Sequence, residues 1–306
     1  MKLTRQPSVI CCGAFKPANG IYLELQQLDR VRLSKVKMRT MLQNQIVGHL
    51  DRIFPGLVII GDEAKKRYTP VFTTDFWRCK TLQHLIRVCP DPRALADMSP
   101  QDLVDAFHAH RYKLGRIRAA KITAYAKKVL LPDAELVAIR CGLLAHDLAL
   151  LEEVVFHITQ LEDRLRTLLT ETPYHAWTKI KGLSDVQVAS LAAAIGDPAC
   201  YDYAAQVFRR SGLVSGRNDS GIRQHKGKGK GVVKVGDVYL RRALMNAVLT
   251  LILHQPVLLL YYNKLKASKP AGVARVATAR RAIGILWATL RDQRADTLIL
   301  KRGAKM

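Results

Sequence analysis

The chain has 306 residues, with 49 Lys and Arg against 25 Asp and Glu, so its formal charge is 49 − 25 = +24 and its pI is near 10.1. A hydrophobic content of 49 % supplies a packed core and excludes a disordered chain. The charge excess points to a polyanion, nucleic acid first and an acidic membrane surface second, but does not separate an enzyme from a binding protein.

The elements expected in chain order are almost all helical. Residues 1–20 carry Pro7, Gly13, Pro17 and Gly20 and read as irregular. The short apolar run in this start makes a poor signal peptide. Tyr22 to Phe54 has apolar positions at Leu25, Leu28, Val31 and then Leu42, Ile46, Leu50, which predicts a long helix stopped by Pro55-Gly56. Leu57 to Ile60 is either a strand or a buried turn. Lys80 to Val129 reads as short helices, one with Leu82, Leu85, Ile86 and Val88 on its apolar face. Ser99-Pro100 is a helix start, with Ser99 as N-cap. Asp102 and Asp105 share a face of that helix; acidic residues near a helix N-terminus explain the pair better than a metal, because no third ligand is visible.

Glu135 to Leu169 is a second long helix. Leu144, Leu148, Leu151, Val155 and Ile158 follow heptad spacing, resumed at Leu161, Leu165 and Leu168. That stripe predicts either packing against the chain's own helices or a dimerising coiled-coil arm. Trp177 to Pro198, an apolar pair, a Gly turn and an Ala-rich helix, has the outline of a helix-hairpin-helix, with an ordinary helical hairpin as the alternative. Val238 to Leu253 and Gly272 to Arg291 are the last helices, the latter with Val276, Ile283, Trp287 and Leu290 inward and Arg275, Arg280 and Arg281 free to face an anion. The apolar run Ala243 to Tyr262 is interrupted by Asn246, His254, Gln255 and Pro256, so it reads as buried helix and not as a membrane span. The six cysteines (Cys11, Cys12, Cys79, Cys89, Cys141, Cys200) form no CxxC pair and no zinc spacing, as expected of reduced thiols. Neither a dinucleotide-binding GxGxxG nor a GxxxxGK[ST] phosphate loop is present.

The chemistry concentrates in Ser211 to Arg242. Ser220 lies between Asp219 and Gly221, among Arg217, Arg223, Lys226, Lys228, Lys230 and Lys234, with Arg241 and Arg242 beyond. Gly227, Gly229 and Gly231 alternate with the lysines, so backbone amides can approach an anion closely. This is a cationic loop suited to phosphates.

The order KGLSDVQVASLAAAIGDP, SGLVSGRNDSGIRQHKGKGKG, LRRALMNAVL and ILWATLRD resembles the C-terminal domain of insertion-sequence transposases that pair a RuvC-like DEDD domain with a C-terminal serine domain and work with a bridge RNA. The likeness covers roughly residues 175–292, and LQQLDRVRLSKVKMRTMLQNQIVGHLDRIFPG is similar to the helix that follows that family's nuclease-like core. The resemblance implies a mainly α protein with these parts: an irregular 1–20, a helical linker region 21–134, a long helix 135–170 as a coiled-coil arm, a serine transposase domain 171–295 and a tail 296–306. It implies Ser220 as the nucleophile. Arg217, Arg223, Lys226, Lys228, Lys230, Lys234, Arg241 and Arg242 would bind nucleic acid.

No carboxylate precedes Glu24, so the family's early acidic strands have no counterpart here, and the chain reads as an N-terminally truncated transposase. No metal ligand is carried over, and Mg2+ is expected only if the acidic domain is supplied. DNA, a structured guide RNA and a second copy of the chain are the expected partners, with no membrane partner, in a prokaryotic cytoplasm at the nucleoid. The competing reading is a non-catalytic basic DNA- or RNA-binding protein, or a remnant that dimerises with intact transposase.

Overall fold

The computed structural model describes residues 20–57, 72, 76–129, 132–213 and 235–292. Among them every regular element is a helix. We number the α-helices α1 (Gly20–Ile53), α2 (Lys80–Val88), α3 (Pro92–Asp97), α4 (Pro100–Ala109), α5 (Arg116–Lys128), α6 (Ala134–Thr170), α7 (Asp185–Ile195), α8 (Ala204–Arg210), α9 (Val238–His254), α10 (Pro256–Lys266) and α11 (Ala271–Asp292). Short 3-10 turns occupy Phe76–Arg78, Pro173–Lys179 and Pro198–Cys200. The chain divides into two compact units: one runs to Leu33 and resumes at Gln160, the other is Ser34–Thr159.

In the Ser34–Thr159 unit, α1 buries Leu42, Ile46, Leu50 and Ile53, the expected one-face spacing. Gly56 follows with φ of 77°, a left-handed conformation that ends the helix as Pro55-Gly56 foretells. Leu57 is buried, while residues 58–60, the rest of the ambiguous apolar run, lie outside the described residues. Helix α4 starts where expected. Ser99 Oγ accepts from the Asp102 amide at 3.2 Å and Asp102 Oδ2 accepts from the Ser99 amide at 3.0 Å, a complete capping box. The Ser99 hydrogen bonds hold the Asp102 carboxyl below its usual range. Asp105 accepts from Gln101 at 2.9 Å, so both carboxylates of the DxxD pair have local partners.

Helix α6 buries Val137, Leu144, Leu151 and Ile158, one residue every seven, against this unit's own core. The heptad stripe is therefore filled by intrachain packing here. One expected member is displaced: Val155 is 42 % exposed and Val154 is buried in its place. Val31 in α1 is similarly at the surface, its expected place in the stripe taken by Asp29.

The other unit is built around α7. Every residue from Val188 to Ile195 is buried, which is why this helix could be Ala-rich: small side chains let the surrounding segments approach on all sides. Trp177 is fully buried and donates its indole N–H to the Leu286 carbonyl at 3.0 Å, tying the 3-10 turn to α11. Asp29 of α1, only 4 % exposed, accepts from Ser190 Oγ of α7 at 2.8 Å and from Arg32 Nε at 3.1 Å. Arg32 also donates to Ser190 Oγ at 3.0 Å and to Glu162 of α6 at 3.4 Å. The buried charge is thus paired and hydrogen-bonded on several sides, as burial of a carboxylate requires.

No single described helix is long and apolar enough to cross a membrane. The apolar pair α9–α10 bends by 104° at Gln255-Pro256. Pro256 opens α10 because its missing N–H costs nothing at a helix start, and α9 buries Leu240, Leu244, Val248, Leu251 and Ile252 in the protein core.

Candidate nucleic-acid interface

The described residues on either side of residues 214–234 form a neck. Ser220 itself, with Arg217, Arg223, Lys226, Lys228, Lys230 and Lys234, lies outside the described residues. The segments on either side of it meet. The Asp237 amide donates to the Arg210 carbonyl at 2.8 Å, and Arg210 Nη2 donates to Asp237 Oδ2 at 3.1 Å. Residues 210–213 and 235–237 therefore bring the two ends of the basic stretch together.

Each side of the neck is fixed by its own chemistry. Ser211 is fully buried, donates to the Phe208 carbonyl at 2.6 Å and accepts from the Leu213 amide at 3.3 Å, which turns the chain out of α8. Asp237 Oδ1 accepts from the Tyr239 and Leu240 amides at 2.9 and 3.1 Å and so caps α9. Gly236 has φ of 151°, and a side chain there would meet the Arg210 carbonyl at 2.7 Å and Gly212 backbone at 2.7 and 2.9 Å. Only a residue without Cβ lets these two backbones touch.

Arg210 ties the neck to the core. It donates to the Ile195 carbonyl at 3.0 Å and to the Tyr201 hydroxyl, which itself donates to Ile195 at 2.9 Å. Burial pushes the Tyr201 phenol up, while the neighbouring Arg210 pulls it the other way, so it stays a neutral donor. Burial raises the Tyr174 phenol as well, and its hydroxyl donates to the Gly196 carbonyl at 2.8 Å. These phenols complete the polar end of α7.

The two described cations of the expected set sit in the first turn of α9. Arg241 and Arg242 are both half-buried, and Arg241 Nη2 reaches the Gly236 carbonyl at 3.5 Å, beside the neck. Tyr239 lies in the same first turn of α9, and the Arg30 guanidinium stacks on its ring at 5.0 Å. Of the arginines expected to face an anion on α11, Arg280 stacks on Phe208 at 5.8 Å and Arg281 on Tyr261 at 4.5 Å. Their planes are engaged by rings, with N–H edges left to other partners.

The hairpin before α7 consists of a 3-10 turn, Gly182 at φ of 102° and the start of α7. Ser184 accepts from the Gln187 amide at 3.3 Å and Gln187 Oε1 accepts from the Ser184 amide at 3.0 Å. The helix start is thus capped from within.

Sequence reasoning missed Arg210 and Asp237 as the neck pair. The signal present was GDVYL, a Gly followed by an N-cap Asp before an apolar run; nothing local announces that Arg210 lies opposite. No group of three His, Cys, Asp or Glu side chains able to hold a metal occurs among the described residues.

Residues 174–263 match the sequence profile of the Transposase IS116/IS110/IS902 family. The match takes in α7, α8, both sides of the neck, the whole basic stretch and α9, and extends into α10. No curated protein matches the chain. The likeness supports a transposase at the level of that family.

Proposed function

We propose that the chain is a DNA transposase or recombinase that uses Ser220 as a nucleophile toward a DNA phosphodiester. The observation that carries this reading is the family match over 174–263, which has the basic stretch inside it and the neck at both its ends. The described residues flanking the stretch pair through one backbone contact, from the Asp237 amide to the Arg210 carbonyl, which fixes the two points between which Ser220 and its cations are carried.

In the proposed step, Ser220 Oγ attacks phosphorus and forms an ester bond. The bond from phosphorus to a deoxyribose oxygen breaks. The serine proton leaves to solvent or a neighbouring base, and the departing oxygen takes up a proton to become a free hydroxyl. A second DNA hydroxyl then attacks the same phosphorus and releases Ser220 with its proton restored. Arg217, Arg223, Lys226 and Lys228 offset the negative charge that gathers on the phosphoryl oxygens. Lys230, Lys234, Arg241 and Arg242 hold the flanking phosphates. A structured guide RNA, a second copy of the chain and magnesium, held by an acidic domain supplied separately, complete the proposed reaction.

The test is to incubate the chain with element-end DNA, RNA and magnesium and look for a DNA–protein adduct that survives denaturant. An adduct lost in Ser220→Ala is the expected result, either with the chain alone or after an acidic transposase domain is added in trans. DNA binding with no adduct under both conditions would leave a non-catalytic basic binding protein.

A further inference from the structure

A second basic surface lies in the Ser34–Thr159 unit, outside the family match. Between Asp105 and Asp133 there is no Asp or Glu, and Arg111, Lys113, Arg116, Arg118, Lys121, Lys127 and Lys128 fall in that interval. All seven are exposed. None of them takes part in an ion pair among the described residues. Among the described residues, Arg118 Nη1 donates to Thr81 Oγ1 at 3.3 Å.

The placement is electrostatically costly without a partner. Arg116 and Arg118 occupy the first turn of α5, which has no acidic residue and no side-chain cap. The positive end of the helix dipole disfavours cations there. A local rule broken on the surface, with nothing in the fold repaying it, marks a site shaped for a ligand. Lys113, Arg118 and Lys121 also converge, lining an open concavity of about 390 Å³ with Thr81, Gly115 and Ile117.

The lining selects among polyanions. It contains no aromatic ring, so it offers nothing for unpaired bases to stack on. Its one neutral polar side chain, Thr81, accepts from Arg118, and the other polar side chains lining it are cations. Cations alone, on a helix and the turn before it, match the phosphates of a duplex read without sequence. We infer that Lys113, Arg118 and Lys121, with Arg116 beside them, form a second docking surface for the backbone of double-stranded DNA. The inference stands whether or not Ser220 is a nucleophile.

The experiment measures binding of the full chain to a mixed-sequence DNA duplex by fluorescence anisotropy across a salt series. It uses wild type, a Lys113→Gln/Arg118→Gln/Lys121→Gln variant, and the same three changes in a chain whose Lys226, Lys228 and Lys230 are already Gln. In both backgrounds the log–log salt slope is expected to flatten by about 2.7, at roughly 0.9 per phosphate contact removed. Affinity should fall about tenfold or more at the salt concentration where wild type is half-saturated. The charge-keeping variant Lys113→Arg/Arg118→Lys/Lys121→Arg should retain the wild-type slope. Lys121→Gln alone should flatten it by about 0.9 and guards against a triple variant that fails to fold. An unchanged slope in both backgrounds overturns the inference. So does a loss confined to duplex RNA or to anionic vesicles, or loss of DNA binding in the charge-keeping variant while its helicity by circular dichroism is intact.

Discussion

At the scale of single residues, Gly236 is the position where the neck depends on one atom's absence. A Cβ there meets backbone on two sides, and backbone has no rotamer by which to yield. Gly196 makes the useful control: its φ is 81°, yet nothing lies within 4 Å of a Cβ. Gly196→Ala should cost about 1–3 kcal/mol for its backbone conformation alone, because φ of 81° with ψ of −151° is essentially open only to glycine. Gly236→Ala should cost more, since a collision with backbone is added to the strain. Its further mark should be weakened DNA binding at temperatures where the fold persists, checked by anisotropy beside thermal denaturation. Equal costs at the two glycines would refute the backbone-contact account of the neck. The described cysteines are likewise plain in character. Cys79, Cys89, Cys141 and Cys200 are free thiols, and burial pushes Cys89 up to about 11.

At the scale of elements, the contact between α1 and α7 rests on a polar group inside a core. Asp29→Ala removes the acceptor that Arg32 and Ser190 share, and leaves an arginine that is 12 % exposed with Glu162 at 3.4 Å and the Ser190 hydroxyl at 3.0 Å. Breaking such a pair costs about 3–5 kcal/mol, and the lower end applies because Glu162 remains. Ser190→Ala removes a neutral hydroxyl and should cost about 1 kcal/mol. Urea denaturation of the two variants and the double variant should show costs that do not add, because the groups share one network. Additive costs would show that Asp29 and Ser190 act independently.

At the scale of the whole molecule, a charge of +24 must be balanced by counterions or a polyanion. Engagement of about eight phosphates implies a log–log salt slope near −7 on duplex DNA, measured by anisotropy. A slope near zero would mean that the charge serves solubility alone.

Much of this was legible in the chain itself. Period and punctuation delivered the long helices α1 and α6, the Ser99 start and the Pro55-Gly56 stop, because these follow from local hydrogen-bonding and steric rules. The order of motifs around Ser220 pointed to the family later matched over 174–263. What the sequence left open depends on which segments meet. Heptad spacing in α6 fitted a dimer arm and an intrachain core equally, and packing against Leu42, Ile46 and Leu50 fills Leu144 and Leu151 from within. Nothing in the local pattern announces that Asp29 is buried against Ser190, 161 residues away. Arg210 and Asp237, 27 residues apart, become a neck only when the backbones carrying them touch. Local rules act over a turn or two of chain; these pairings were decided by the tertiary fold, because burial and charge neutralisation reward contacts whatever their separation in sequence.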